Sequence, residues 1–125
     1  MNERILNVKV CEPLEASLAR AAQTMEALER GDTPPSYFTV GFSEISQLLA
    51  VFTPRRWDLL AALREDGPMT IAALARRVKR DYKNVHNDVE KLVEWQALEK
   101  DEQNRIVAPF SEIVMDVRLP EGRAA

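Results

Sequence analysis

The sequence predicts a mainly helical α+β chain, on three observations. Apolar residues recur at helical spacing in four stretches between residues 43 and 95, and in a fifth between residues 14 and 28. Short alternating or β-branched stretches stand at residues 5–10, 36–41, 98–109 and 112–119. Helix-starting and helix-stopping residues punctuate the chain where these patterns change: Pro13, Gly31, Thr53-Pro54, Gly67-Pro68 and Thr70.

Composition sets the outer limits. The 125 residues suit one domain with an accessory segment, and 46% hydrophobic content supplies one modest core. No stretch is long and apolar enough to span a bilayer, so no membrane association is expected. The start, MNERILNVKV, lacks the basic region and long apolar run of a signal peptide, so the expected compartment is the cytoplasm. The single cysteine, Cys11, excludes an internal disulfide. With one histidine, His86, it also argues against a four-ligand zinc site, so neither metal nor cofactor is expected. No phosphate loop or catalytic triad spacing occurs, so the chain reads as a non-enzyme with no catalytic residues. The net charge is −3, but its distribution is uneven. Residues 1–52 carry four basic residues (Arg4, Lys9, Arg20, Arg30) against seven acidic ones, whereas RRVKRDYK at 76–83 carries five against Asp81 alone. Nucleic-acid binders often concentrate positive charge this way on an otherwise neutral or acidic surface.

Ile5–Val10 alternates and reads as a strand. Pro13 opens a helix that runs to about Arg30 and stops at Gly31. Along it Leu14, Leu18, Ala21, Met25 and Leu28 recur at spacings of four, three, four and three, a heptad seam. Such a seam pairs with a second copy, clasps a partner protein, or packs on the chain's own core. Residues 32–36, DTPPS, form a linker stiffened by two prolines. Residues 36–41, SYFTVG, read as a strand that pairs with Ile5–Val10 or with the last strand. Ser43 is expected to cap a helix whose apolar side is Phe42, Ile45, Leu48 and Leu49.

Thr53-Pro54 starts the next helix, expected to set Trp57, Leu60, Ala61 and Arg64 on one side with Leu63 alongside. Gly67-Pro68 stops it, and Met69 adds a brief extended segment. Thr70 caps a short helix, 71–78, in which Ile71, Leu74, Ala75 and Val78 follow the i, i+3, i+4, i+7 pattern. Lys79-Arg80 is room for a tight turn only. Asp81 then caps the helix 82–95, whose Tyr82, Val85, Val89, Leu92 and Val93 share one side and must face a core. Arg80, Lys83, Asn84, Asn87 and Lys91 share the other side. Two helices joined this tightly make a helix-turn-helix, with the second suited to a major groove. Leu98–Asp101 and Arg105–Pro109, joined at Glu102–Asn104, make a hairpin, with Asn104 able to take the left-handed turn position. A hairpin directly after a groove helix is a wing. Glu112–Leu119 is a last strand and residues 120–125 a frayed tail.

Through TPRRWDLLAAL, the Gly-Pro stop, TIAALARRV, RDYKNVHNDVEKL and RIVAPFSEI, the stretch from Phe42 to Ile113 resembles the MarR-like winged helix-turn-helix transcriptional regulators. It is most similar to a small prokaryotic subgroup of DNA-binding proteins in that superfamily. The resemblance implies a winged helix-turn-helix at 42–110. The residues outside it read as a strand-helix-strand extension at 1–41 for dimerisation or partner binding, and a C-terminal strand and tail at 111–125. The resemblance also implies DNA contact by the groove helix and its lead-in: Arg80, Tyr82, Lys83, Asn84, His86 and Asn87. Two departures stand out. Gln96 occupies the helix exit where similar sequences have Gly, and Asp101 and Glu102 flank the lone wing cation, Arg105.

The candidate DNA-contacting set is therefore Thr70, Arg80, Tyr82, Lys83, Asn84, His86, Asn87, Lys91 and Arg105. Asn can pair two-pronged with adenine, which makes Asn84 and Asn87 the base-reading candidates. Arg76, Arg77 and Lys79 suit phosphates or solvent, and His86 either donates to a phosphate or packs at the helix edge. Arg55 and Arg56 oppose their own helix dipole, which suggests an anionic neighbour outside the chain or a nearby carboxylate within it. Trp57 and Trp95 read as core anchors and Cys11 as a buried apolar residue. The expected activity is sequence-specific binding of double-stranded DNA by a homodimer that regulates transcription from a palindromic site. The alternatives are an antitoxin that represses its own operon and clasps a basic toxin protein, or a winged helix serving as a protein–protein module.

Overall fold

Alternation decides which face the first strand buries. In the computed structural model, which describes residues 4–32 and 38–119, Leu6, Val8 and Val10 of β1 (Ile5–Val10) are at most 1% exposed, while Asn7 and Lys9 lie on the opposite face. β1 is the centre of a three-stranded parallel sheet, between β2 (Phe38–Phe42) and β5 (Glu112–Val117). The register aligns Val8 with Val40 and with Met115, so the inward rows of all three strands coincide. The segment expected to pair with either terminal strand thus pairs with the first, and Ser36 and Tyr37 lie outside the described residues.

Parallel neighbours require long connections. Helix α1 (Leu14–Glu29) makes the first, ending in a turn where Gly31 takes φ 80°, as its position predicts. The second connection, from β2 to β5, holds the remaining helices: α2 (Ile45–Val51), α3 (Pro54–Asp66), α4 (Ile71–Val78) and α5 (Tyr82–Glu94), then an antiparallel hairpin of β3 (Glu99–Lys100) and β4 (Ile106–Val107). Met69 supplies its brief extended segment by bridging to Ile106. The structure is therefore a mixed α/β protein of five helices and small sheets among the described residues. None of these helices is long and apolar enough to cross a membrane.

One apolar cluster joins the sheet to the helices. Leu6, Val8, Val40 and Phe42 belong to the same core as Leu59, Leu74, Val85, Val89, Leu92 and Ile106. Phe42 of the sheet stacks on Trp95 at the end of α5, with ring centroids 4.4 Å apart. The division into 1–41, 42–110 and 111–125 expected from sequence thus cuts through a single core.

Several local expectations are corrected. α2 is capped by Glu44 rather than Ser43: the Glu44 carboxylate takes the first-turn amide, and Gln47 Oε1 accepts from the amides of Ser43 and Glu44. Phe42 belongs to β2, and of the apolar side expected for α2, Ile45 and Leu49 are exposed. α3 buries Leu59, Leu60, Ala62 and Leu63, not the Trp57/Ala61/Arg64 side. Trp57 lies at the core's rim beside Phe52. Tyr82 is 53% exposed and only Val85, Val89 and Leu92 of α5 are fully buried. Cys11 is exposed, with φ 58°.

Gln96 adopts φ 69°, in the left-handed region that L side chains enter at a cost. This explains physically why Gly suits the exit of such a helix. Gln96→Gly is expected to raise stability by about 0.5–1 kcal/mol, the relieved strain exceeding the added chain entropy. A urea titration of both proteins measures the difference, and an unchanged or lower midpoint for the Gly variant would contradict it.

Candidate functional site

The site is built on the N-terminal half of α5. α4 ends by turning through Lys79, at φ 57° and ψ 48°, with the Arg80 amide donating to the Ala75 carbonyl. That tight reversal lets α5 begin at once. Asp81 caps it, its carboxylate accepting from the amides of Lys83 (3.1 Å) and Asn84 (3.3 Å). Thr70 does the same for α4, accepting from the Ala73 amide at 3.2 Å. Thr70 is exposed but is engaged as a cap. α3, α4 and α5 pack against one another, and Val85, Val89 and Leu92 are 0% exposed, so the opposite side of α5 must face outward.

That outer side presents Tyr82, Lys83, Asn84 and Asn87, all exposed. Neither Asn side chain has a hydrogen-bond partner among the described residues. The Tyr82 ring stacks on His86, centroids 6.1 Å apart. His86 lies 3.8 Å from Glu90, whose carboxyl is held below its usual range chiefly by a hydrogen bond from Lys100, with further help from the Lys100 charge. Lys91 is tied to Glu94 at 3.1 Å.

Asn84 and Asn87 line a groove of about 610 Å³ whose other wall is the start of α3: Thr53, Pro54, Arg55 and Arg56. At its base Asp88 holds two guanidinium groups, Arg56 Nε at 3.1 Å and Arg80 at 2.6 Å. All three side chains are about 15% exposed. Arg56 also donates to the carbonyls of Ala50 and Val51, both at 2.9 Å. The alternatives for the first-turn arginines therefore divide. Arg56 has its carboxylate within the chain, whereas Arg55 makes no ion pair among the described residues. Arg80, expected to contact DNA directly, instead points inward to Asp88, so its effect on the surface is to position α5. Asp88 itself was not singled out by sequence, because its partners lie 32 and 8 residues away.

Most cations are neutralised within the chain. Arg77 is held by Asp66 and Glu65, with its pKa raised mainly by the Asp66 hydrogen bond. Arg105 donates to Asp101, whose carboxyl also accepts the amides of Gln103 and Arg105 and is held below its ordinary pKa, chiefly by the Arg105 amide. The expected hairpin cation is thus spent on closing the turn, where Asn104 takes φ 61° as its residue type predicts. Among the described residues the cations in no ion pair are Arg55, Arg64, Arg76, Lys79 and Lys83. Arg64 donates to the Ala108 carbonyl. The other four lie at the start of α3, the end of α4, the turn, and the first turn of α5. Among the described residues no group of three His, Cys, Asp or Glu side chains could hold a metal ion.

The outward face of α5 thus sets two unengaged amides beside Lys83 and across a groove from Arg55, on a mixed α/β core. Residues 51–115 match the HVO_A0114 family model, and the chain belongs to that family. The matched stretch runs from the end of α2 into β5 and leaves β1, α1 and β2 outside. No curated protein and no solved structure matches the chain.

Proposed function

We propose that this protein is a sequence-specific DNA-binding regulator of transcription, a winged helix-turn-helix of the MarR-like kind. α4 and α5 are its helix-turn-helix, and β3–β4 its wing. α5 enters the major groove of double-stranded DNA, where Asn84 and Asn87 read base edges while Arg55, Arg76, Lys79 and Lys83 meet phosphates. The observation that carries this reading is that α5's outward amides stand beside Lys83 and across a groove from Arg55, two cations in no ion pair among the described residues. The paired Arg105 makes the wing a weak contributor. Two copies, each reading one half of a palindrome about 34 Å apart, complete the proposal, and the setting is the cytoplasm of a prokaryotic cell.

The direct test is a gel shift at moderate salt, comparing the duplex upstream of the protein's own gene with a random duplex of equal length. Preferential retardation of the upstream duplex is expected, and equal or absent retardation would sink the reading. Lys83→Ala should weaken both duplexes alike and flatten the dependence of log affinity on log salt by about one unit. Asn87→Ala should instead lose about 1–3 kcal/mol of discrimination at one base pair. Equal losses on both duplexes for Asn87→Ala would remove its base-reading role.

A second reading, an antitoxin that represses its operon and also holds a basic toxin protein, is favoured by one observation. α1 is acidic and exposes its whole apolar stripe. It differs from the first reading in requiring a protein partner, and co-purification with the product of a neighbouring gene separates the two.

A further inference from the structure

Helix α1 has sixteen residues and buries none of them. Its heptad seam stands in solvent: Leu14 is 72% exposed, Leu18 60%, Met25 62% and Leu28 59%. The side of α1 that is partly covered is a different one, carrying Ser17 and Arg20, which bond to Glu12. The alternative in which the seam packs on the chain's own core is therefore ruled out among the described residues. An apolar stripe this continuous needs cover.

The flanking charges say what kind of cover. Glu15, Glu26 and Glu29 make no ion pair among the described residues. The last turn of α1 holds no basic residue, so Glu26 and Glu29 sit at the negative end of the helix dipole, where a cation belongs. A second copy of α1 does not supply one. Run antiparallel, it sets Glu15 against the other copy's Glu29. Run parallel, it sets Glu29 against Thr24. We propose that α1 is the docking site for an amphipathic helix of a partner protein, whose apolar stripe is flanked by Lys or Arg. The inference gives the second reading above its contact surface and rests on that reading for the partner's existence. It does not depend on what α5 binds.

The probes are two sixteen-residue helical peptides with Leu at both seam positions, one with Lys and one with Glu at the flanking positions. The full chain is expected to bind the Lys peptide one-to-one, at least tenfold tighter than the Glu peptide, and more weakly as salt rises. Leu18→Glu/Met25→Glu should lose that binding tenfold or more although it makes the surface more acidic, which separates docking from general attraction to a negative protein. Glu15→Lys/Glu29→Lys, which keeps the stripe, should invert the preference. Equal binding of both peptides, no binding, or undiminished binding by Leu18→Glu/Met25→Glu would overturn the proposal. So would a dimer in sedimentation equilibrium that this double variant dissociates, since the second copy would then be the occupant. Because no DNA is present, failure of α5 as a reader leaves these outcomes unaffected.

Discussion

Asp88→Ala is expected to lower the unfolding free energy by about 3 kcal/mol, the low end of the range for removing one partner of a buried ion pair. The low end is chosen because the three side chains keep about 15% of their surface in water. The loss comes from what remains. Arg56 and Arg80 would face each other across the groove base with no carboxylate between them. Arg80 is already poorly satisfied, since its Nε and one terminal nitrogen are buried without a hydrogen-bond partner. Its net contribution is therefore mostly the charge pairing, and removing the charge removes nearly all of it. For a chain of 125 residues this corresponds to a melting temperature lower by roughly 10 °C. Asp88→Asn, which keeps the shape and one acceptor, should fall between the two. In an Asp88→Ala background, Arg56→Ala should cost less than it does in the wild type, by a coupling of about 1–2 kcal/mol. A loss under 1 kcal/mol for Asp88→Ala would show that water rather than Asp88 satisfies the two arginines.

The same triad shows where sequence reading stops. Caps are local, so Thr53, Thr70, Asp81 and Gly67 mark helix ends that the structure reproduces. The buried stripes of α4 and α5 are legible too, since Leu74 and Ala75, and Val85, Val89 and Leu92, are the apolar residues that helical spacing puts on one side, although Tyr82 falls off the end of its stripe. α3 was not legible in this way. Trp57, Leu59, Leu60, Ala61, Ala62 and Leu63 leave hardly any polar gap, so periodicity cannot choose the buried side, and the packing of α4 and α5 chooses it. Arg80 shares the polar side of α5 with Lys83 and Asn87, and only the approach of α3 makes it an inward residue. The site was thus legible as a helix face and illegible as a groove, because its second wall, Thr53–Arg56, comes from thirty residues upstream. For α1 the sequence displayed the stripe, and no intrachain pattern could say that the chain leaves it uncovered.

Leu6→Ala is expected to cost about 3 kcal/mol, as much as Leu92→Ala, although the two residues lie far apart in the sequence. Leu6 is 0% exposed, and its row in the sheet continues into Phe38 and Ile113. Leu92 is also 0% exposed and belongs to the same apolar cluster. If residues 1–41 were an appendage, truncating Leu6 would loosen the appendage and spare α4 and α5. The shared core predicts the opposite, a single transition in which every element is lost together. Trp95 provides the means of telling these apart, because its ring rests on Phe42 at the junction of sheet and helix bundle; Trp57 is replaced by Phe in both proteins so that Trp95 alone fluoresces. Urea unfolding of Leu6→Ala followed by tryptophan fluorescence should coincide with unfolding followed by far-ultraviolet circular dichroism, both shifted equally from the wild type. Two separated curves, with the helical signal surviving the loss of the Trp95 signal, would mean that the helices fold without the sheet. The orientation of α5 would then owe nothing to β1.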